Sequence, residues 1–68
     1  MSHKFEVGDE AFFCQGNEVI DVGVVVDINK PQGPFNRYIV VRWQMLGKQK
    51  QHREDQIYTR EEVYNERV

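Results

Sequence analysis

Two β-branched arms separated by a proline loop restrict what this chain can become. Val22-Gly23-Val24-Val25-Val26-Asp27-Ile28 is joined through Asn29-Lys30-Pro31-Gln32-Gly33-Pro34-Phe35-Asn36 to Arg37-Tyr38-Ile39-Val40-Val41-Arg42-Trp43. Valine and isoleucine lose rotamer freedom in a helix and, like aromatic residues, pack well on a pleated surface, so both arms read as strands. Pro31 and Pro34 lack the amide hydrogen that a ladder needs, which makes the connection a surface loop. The arms are expected to pair antiparallel as the central hairpin of a small all-β domain.

Strand side chains alternate between faces, so each arm has an inner and an outer set. Unbroken alternation puts Val22, Val24, Val26 and Ile28 inside and Val25 and Asp27 outside. A bulge at Gly23, where a glycine interrupts the run, would shift the earlier residues by one. On the second arm Ile39, Val41, Trp43 and Met45 form the core set, leaving Tyr38, Val40, Arg42 and Gln44 on the other face.

The flanking segments fit the same class. Phe5 and Val7 alternate before a turn at Gly8-Asp9, and Glu10 to Cys14 forms a strand in which Phe12 and Phe13 point opposite ways. One of those two rings is expected to be an exposed contact. Gln15-Gly16-Asn17-Glu18 reads as a turn, and so does Leu46-Gly47. Lys48-Gln49-Lys50-Gln51-His52-Arg53 is wholly polar, as an exposed edge strand is, and its lysines discourage edge-to-edge association. Glu54-Asp55 leads into a short strand, Gln56-Ile57-Tyr58. Thr59-Arg60-Glu61-Glu62 has capping-box spacing, which predicts a short terminal helix pinned by Val63 and Tyr64.

Composition narrows the function. With 68 residues the chain is one domain, and at this size only about 60% of the unfolded surface is buried, so association with copies or partners is a natural remedy. A formal charge of -2 argues against a dedicated nucleic-acid binder, while leaving room for a local basic patch. The single cysteine, Cys14, excludes an internal disulfide, supplies no metal site alone, and is expected to be a buried thiol. The amino terminus has no apolar h-region and no run is long enough to span a membrane, so the expected setting is cytoplasmic. His52 has no companion acid or nucleophile nearby in sequence, and no catalytic or metal-ligating set emerges.

Phe5-x-Val7-Gly8-Asp9, Gly23-x-Val25, Tyr38-Ile39-Val40-Val41-Arg42-Trp43, His52 and Ile57 together resemble the SH3-like barrels over nearly the whole chain. That resemblance implies a five-stranded barrel with a short C-terminal helix. Val22-Gly23-Val24-Val25 and Val40-Val41-Arg42-Trp43 are similar to stretches of the electron-transport accessory barrels, namely the small accessory barrel of photosystem I and the ferredoxin–thioredoxin reductase variable chain. In those families the barrel is non-catalytic and docks on a larger complex. The corresponding expectation here is a protein-binding or accessory module, cofactor-free, with a contact surface of Pro34, Phe35, Tyr38 and Arg42 beside Lys50, His52 and Arg53. Exposed aromatic and arginine side chains are the types enriched at interface hot spots.

A second resemblance gives an alternative. Gln56-Ile57-Tyr58 matches a tripeptide of the type II dihydrofolate reductases, SH3-like barrels in which it lines the pore of a homotetramer and holds folate and NADPH. That family's cationic residue on the first strand falls near Phe13 here, and the serine two places before the glutamine is Glu54. Each lost charge pair removes roughly 1 kcal/mol of attraction for the anionic ligands. Further alternatives come from SH3-like barrels of the Tudor and chromo-barrel kind, where Phe12, Phe35, Tyr38 and Tyr58 would form an aromatic cage, and from single-stranded nucleic-acid binding along Lys48 to Arg53 with Tyr38.

Overall fold

The structure, a computed structural model, describes residues 4–29 and 37–65. It is mostly β: strands β1 (Glu10–Gln15), β2 (Glu18–Asn29), β3 (Tyr38–Trp43) and β4 (Gln49–Arg53) form one antiparallel sheet in the order β1-β2-β3-β4. A 3-10 turn (Glu54–Gln56) and one short helix, α1 (Arg60–Asn65), follow. The two valine-rich arms pair antiparallel as their composition predicts, with Gly23 opposite Trp43 and Val25 opposite Val41. Among the described residues this is an open four-stranded sheet, with a single bridge between Phe12 and Tyr58 beyond the outer edge of β1.

Up to Val25 the inner set of β2 is the reverse of the expected one, while Asp27 points outward and Ile28 inward as expected. Val25 is 1% exposed and Val24 47% exposed, while Asp21 and Gly23 are buried and Val22, Val26 and Ile28 are half-buried. Alternation does break, but at Val26 rather than Gly23: the register slips between Val25 and Asp27, which lets Ile28 rejoin the core face opposite Ile39. Gly23 stays in register because it must be small. A Cβ there would lie 2.5 Å from Val41 Cγ1 and 2.6 Å from the Arg42 carbonyl oxygen.

Phe5, Ala11, Val25, Ile39, Val41, Trp43 and Ile57 make the core on one face of the sheet, with Phe13 and Ile28 packed against it. Met45 is not part of it. The strand ends at Trp43, the chain turns through Gln44 to Leu46, and Met45 is 80% exposed. Neither Phe12 nor Phe13 is exposed: Phe13 is half-buried, and Phe12 is buried on the opposite face, where its amide and carbonyl bond those of Tyr58 at 2.9 Å each. Helix α1 packs against β1, and Val63 is buried with it, whereas Tyr64 stays exposed under the Arg60 guanidinium. Cys14 is half-buried rather than buried.

Gln56-Ile57-Tyr58 is not a strand. The Gln56 side chain accepts the Arg53 amide at 3.0 Å and closes the 3-10 turn, Ile57 drops into the core, and only Tyr58 makes a bridge. The predicted capping box forms as spaced: the Thr59 amide donates to Glu62 Oε1 at 2.9 Å, and the Glu62 amide to Thr59 Oγ1 at 3.2 Å.

Two buried charges, unanticipated from sequence, hold the ends of the sheet. Arg37 Nη2 donates to Glu54 Oε2 at 2.8 Å and to the Phe5 carbonyl, and the Phe5 amide donates to the same carboxylate oxygen at 3.1 Å. At the other end Asp21 accepts the amides of Val22, Met45 and Leu46 at 2.8, 2.9 and 3.0 Å, fixing the β3–β4 turn. Burial raises the Asp21 pKa, but the three amides outweigh that and hold it below the usual carboxylate value. Lys4 ties the chain ends together through the Ile57 carbonyl at 2.7 Å and Glu62 at 3.0 Å.

Candidate binding site

Register sorts the expected contact residues into two groups. On the β3–β4 ladder Tyr38 faces Arg53, Val40 faces Gln51 and Arg42 faces Gln49, and side chains directly opposite share a face. Tyr38, Arg42 and Arg53 therefore lie on the outer face. Lys50, opposite Val41, and His52, opposite Ile39, lie on the core face. Pro34 and Phe35 lie outside the described residues. Gln56, Ile57 and Tyr58 also part company: Gln56 is exposed and bonded to Arg53, Ile57 is fully buried, and Tyr58 is half-buried with Lys4 Nζ 5.4 Å from its ring centre.

The sheet instead brings together a group that spans it from β1 to β4. Phe13 of β1, Trp43 of β3 and His52 of β4 form a three-ring cluster with centroid separations of 6.1, 5.4 and 6.2 Å for Phe13–Trp43, Trp43–His52 and Phe13–His52. Two contacts are edge-to-face, the arrangement that ring quadrupoles favour. Trp43 Nε1 donates to His52 Nε2 at 2.9 Å, so that nitrogen is the acceptor of a neutral imidazole and the proton sits on Nδ1. Burial first, and the Lys50 charge second, hold the His52 pKa below its ordinary value, which keeps the acceptor free at neutral pH.

Over these rings lies a groove of about 260 Å³, lined by Phe13, Ile20, Trp43, Leu46, Lys50 and His52, with the Asp21 carboxylate at its floor. Ile20 and Leu46 are 44% and 45% exposed on its rim, next to Met45. Asp21 is saturated by three amides, and among the described residues no group of His, Cys, Asp and Glu is placed to hold a metal ion. The ring cluster was missed in sequence because Phe13, Trp43 and His52 come from three strands, and only their common parity with Ile39 and Val41 hints at it. No helix among the described residues is long and apolar enough to cross a membrane. The chain was compared with protein-family models, curated proteins and solved structures, and nothing matches it.

Proposed function

We propose that this chain is a small binding module of SH3-like barrel architecture that docks on a protein partner, with no chemistry of its own. The barrel reading draws support from the curl of the sheet. Strands β1 and β4 would lie three strand spacings, about 14 Å, apart in a flat sheet, yet the Phe13 and His52 rings approach to 6.2 Å. The Tyr58 bridge to Phe12 lies where a fifth strand would pair with the other edge.

The observation that carries the docking reading is the groove: aromatic walls fixed by the Trp43–His52 bond, an exposed apolar rim, and a saturated carboxylate beneath. Rigid aromatic walls bind with little ordering cost, which is what interface hot spots exploit. The test is selection of peptides from a displayed random library on immobilised protein. The expected result is a set of binders that is lost with Ile20→Asp/Leu46→Asp and kept with Tyr38→Ala, at unchanged melting temperature. The opposite pattern would move the contact to the outer face. An absence of binders, with dihydrofolate-dependent NADPH oxidation by a tetramer, would replace the reading with the enzyme alternative.

A further inference from the structure

Beside the groove runs the edge of β4, which pairs with no further strand among the described residues, and three observations define what can pair with it. The first is which backbone groups it offers. The Trp43 amide donates to the Lys48 carbonyl at 3.2 Å and the Glu54 amide to the Arg37 carbonyl at 3.0 Å, which brackets the β3–β4 ladder. Hydrogen-bonded pairs alternate along an antiparallel ladder, so Lys50 and His52 point their amides and carbonyls at β3, while Gln49, Gln51 and Arg53 point theirs away. The Arg53 amide is taken by the Gln56 side chain at 3.0 Å. Gln49 and Gln51 keep their amide and carbonyl open among the described residues, one short docking register.

The second observation is charge. Between Asp27 and Glu54 the chain has six lysines and arginines and no acidic residue, against a whole-chain balance of -2. Of these, Arg37 is consumed by Glu54 and Arg53 lies 3.7 Å from Asp55. Arg42, Lys48 and Lys50 are exposed and make no ion pair among the described residues. The third observation is parity. A strand added to β4 would put the residue opposite Lys50 on the groove face, and those opposite Gln49 and Gln51 on the outer face with Arg42 and Arg53.

Resting on the docking reading above, we propose that β4 captures an extended acidic peptide by strand addition, its alternate apolar side chain entering the Phe13–Trp43–His52 groove. Main-chain pairing gives the affinity and alternate side chains the selectivity, as in other strand-addition complexes. The fitted pattern is acidic–apolar–acidic. A nucleic-acid strand answers the basic surface but lacks the alternating amide donors and carbonyl acceptors that a ladder with Gln49 and Gln51 requires. A second copy offers the same basic edge, and like charges would face each other across the seam.

The probe is a blocked pentapeptide alternating glutamate and leucine, followed by the fluorescence of Trp43, the chain's one tryptophan, which sits in the groove. Saturable binding is expected, weakened by salt, and lowered roughly ten-fold by Arg42→Glu/Arg53→Glu, which places carboxylates on the outer face where the acidic residues of the peptide lie. Gln51→Pro should abolish it with the fold intact, because that amide serves no ladder bond, and Gln51→Ala should retain it. A peptide N-methylated at alternate amides makes the same test without altering the protein, and its failure to bind is expected. Retained binding of the N-methylated peptide would refute strand addition while leaving the docking module standing. Equal binding of a lysine–leucine peptide would refute the charge argument. Displacement of the peptide by single-stranded oligothymidylate, or dimerisation abolished by Gln51→Pro, would assign the edge to nucleic acid or to a second copy. No binding of this peptide by a protein that still selects library peptides would overturn the proposal alone.

Discussion

Gly23→Ala tests the reasoning about the fold at its tightest point. Gly23 lies between Ala11 of β1 and Trp43 of β3, and a Cβ there would meet Val41 Cγ1 at 2.5 Å, the Arg42 oxygen at 2.6 Å and Trp43 Cε3 at 2.9 Å. Ordinary carbon contacts are about 3.5–4.0 Å. Val41 and Trp43 are buried and the third neighbour is backbone, so relief requires β2 and β3 to move apart. Overpacking of this kind costs about 1–3 kcal/mol, and three simultaneous clashes put it near the top of that range. Alanine's smaller unfolded-state entropy returns somewhat under 1 kcal/mol, leaving about 2 kcal/mol. For a chain of this length that lowers the melting temperature by about 14 °C, read by circular dichroism. Gly16→Asn is the control, because Gly16 has open space around it and a φ of 60°, which asparagine tolerates. A loss under about 3 °C for Gly23→Ala, or an equal loss in the control, would refute the steric account.

Three further perturbations bear on the buried charges. Glu54→Gln leaves the Arg37 guanidinium buried without its counter-charge and should cost about 3 kcal/mol in urea unfolding, with Arg37→Met/Glu54→Leu less damaging than the sum of its single changes. Asp21→Ala strips the acceptor from the amides of Val22, Met45 and Leu46 and should cost about 2 kcal/mol while loosening the β3–β4 turn, visible as faster exchange of those amides. Stability should also fall in two steps as pH drops. His52 resists protonation in the fold, so loss begins as pH falls through its ordinary value of 6.5; Asp21 resists it too, but as a carboxylate, so its contribution is full above 3.8 and fades below. His52→Gln should remove the upper step and Asp21→Asn should shrink the lower one, in melting temperatures measured across pH.

What the sequence made legible follows from how local each signal is. The four strands, the turns at Gly8-Asp9, Gly16-Asn17 and Leu46-Gly47, and the Thr59–Glu62 cap rest on neighbouring residues, and all are present. The inner face of β2 rests on distant ones. Four valines occupy both parities of that run, so hydrophobicity alone does not choose a side, and the residues that mark the core parity, Asp21 and Gly23, look like outward or turn residues until Met45, Leu46 and Trp43 are seen against them. Arg37 and Glu54 are 17 positions apart and meet only in the fold. Part of the site was readable: His52 and Arg53, being adjacent on a strand, cannot share a face, which separates the core-face pair Lys50 and His52 from the outer-face residues.

The carboxamide of Gln56, folded back onto Arg53, has an effect beyond closing a turn. An uncapped ribbon border lets an incoming segment slide along it, or lets molecule after molecule stack on the last. Here the row of vacant partners is cut off at its downstream end by the protein's own side chain. A segment added as proposed would meet a slot with a stop, which would set its length and phase and discourage growth into fibres.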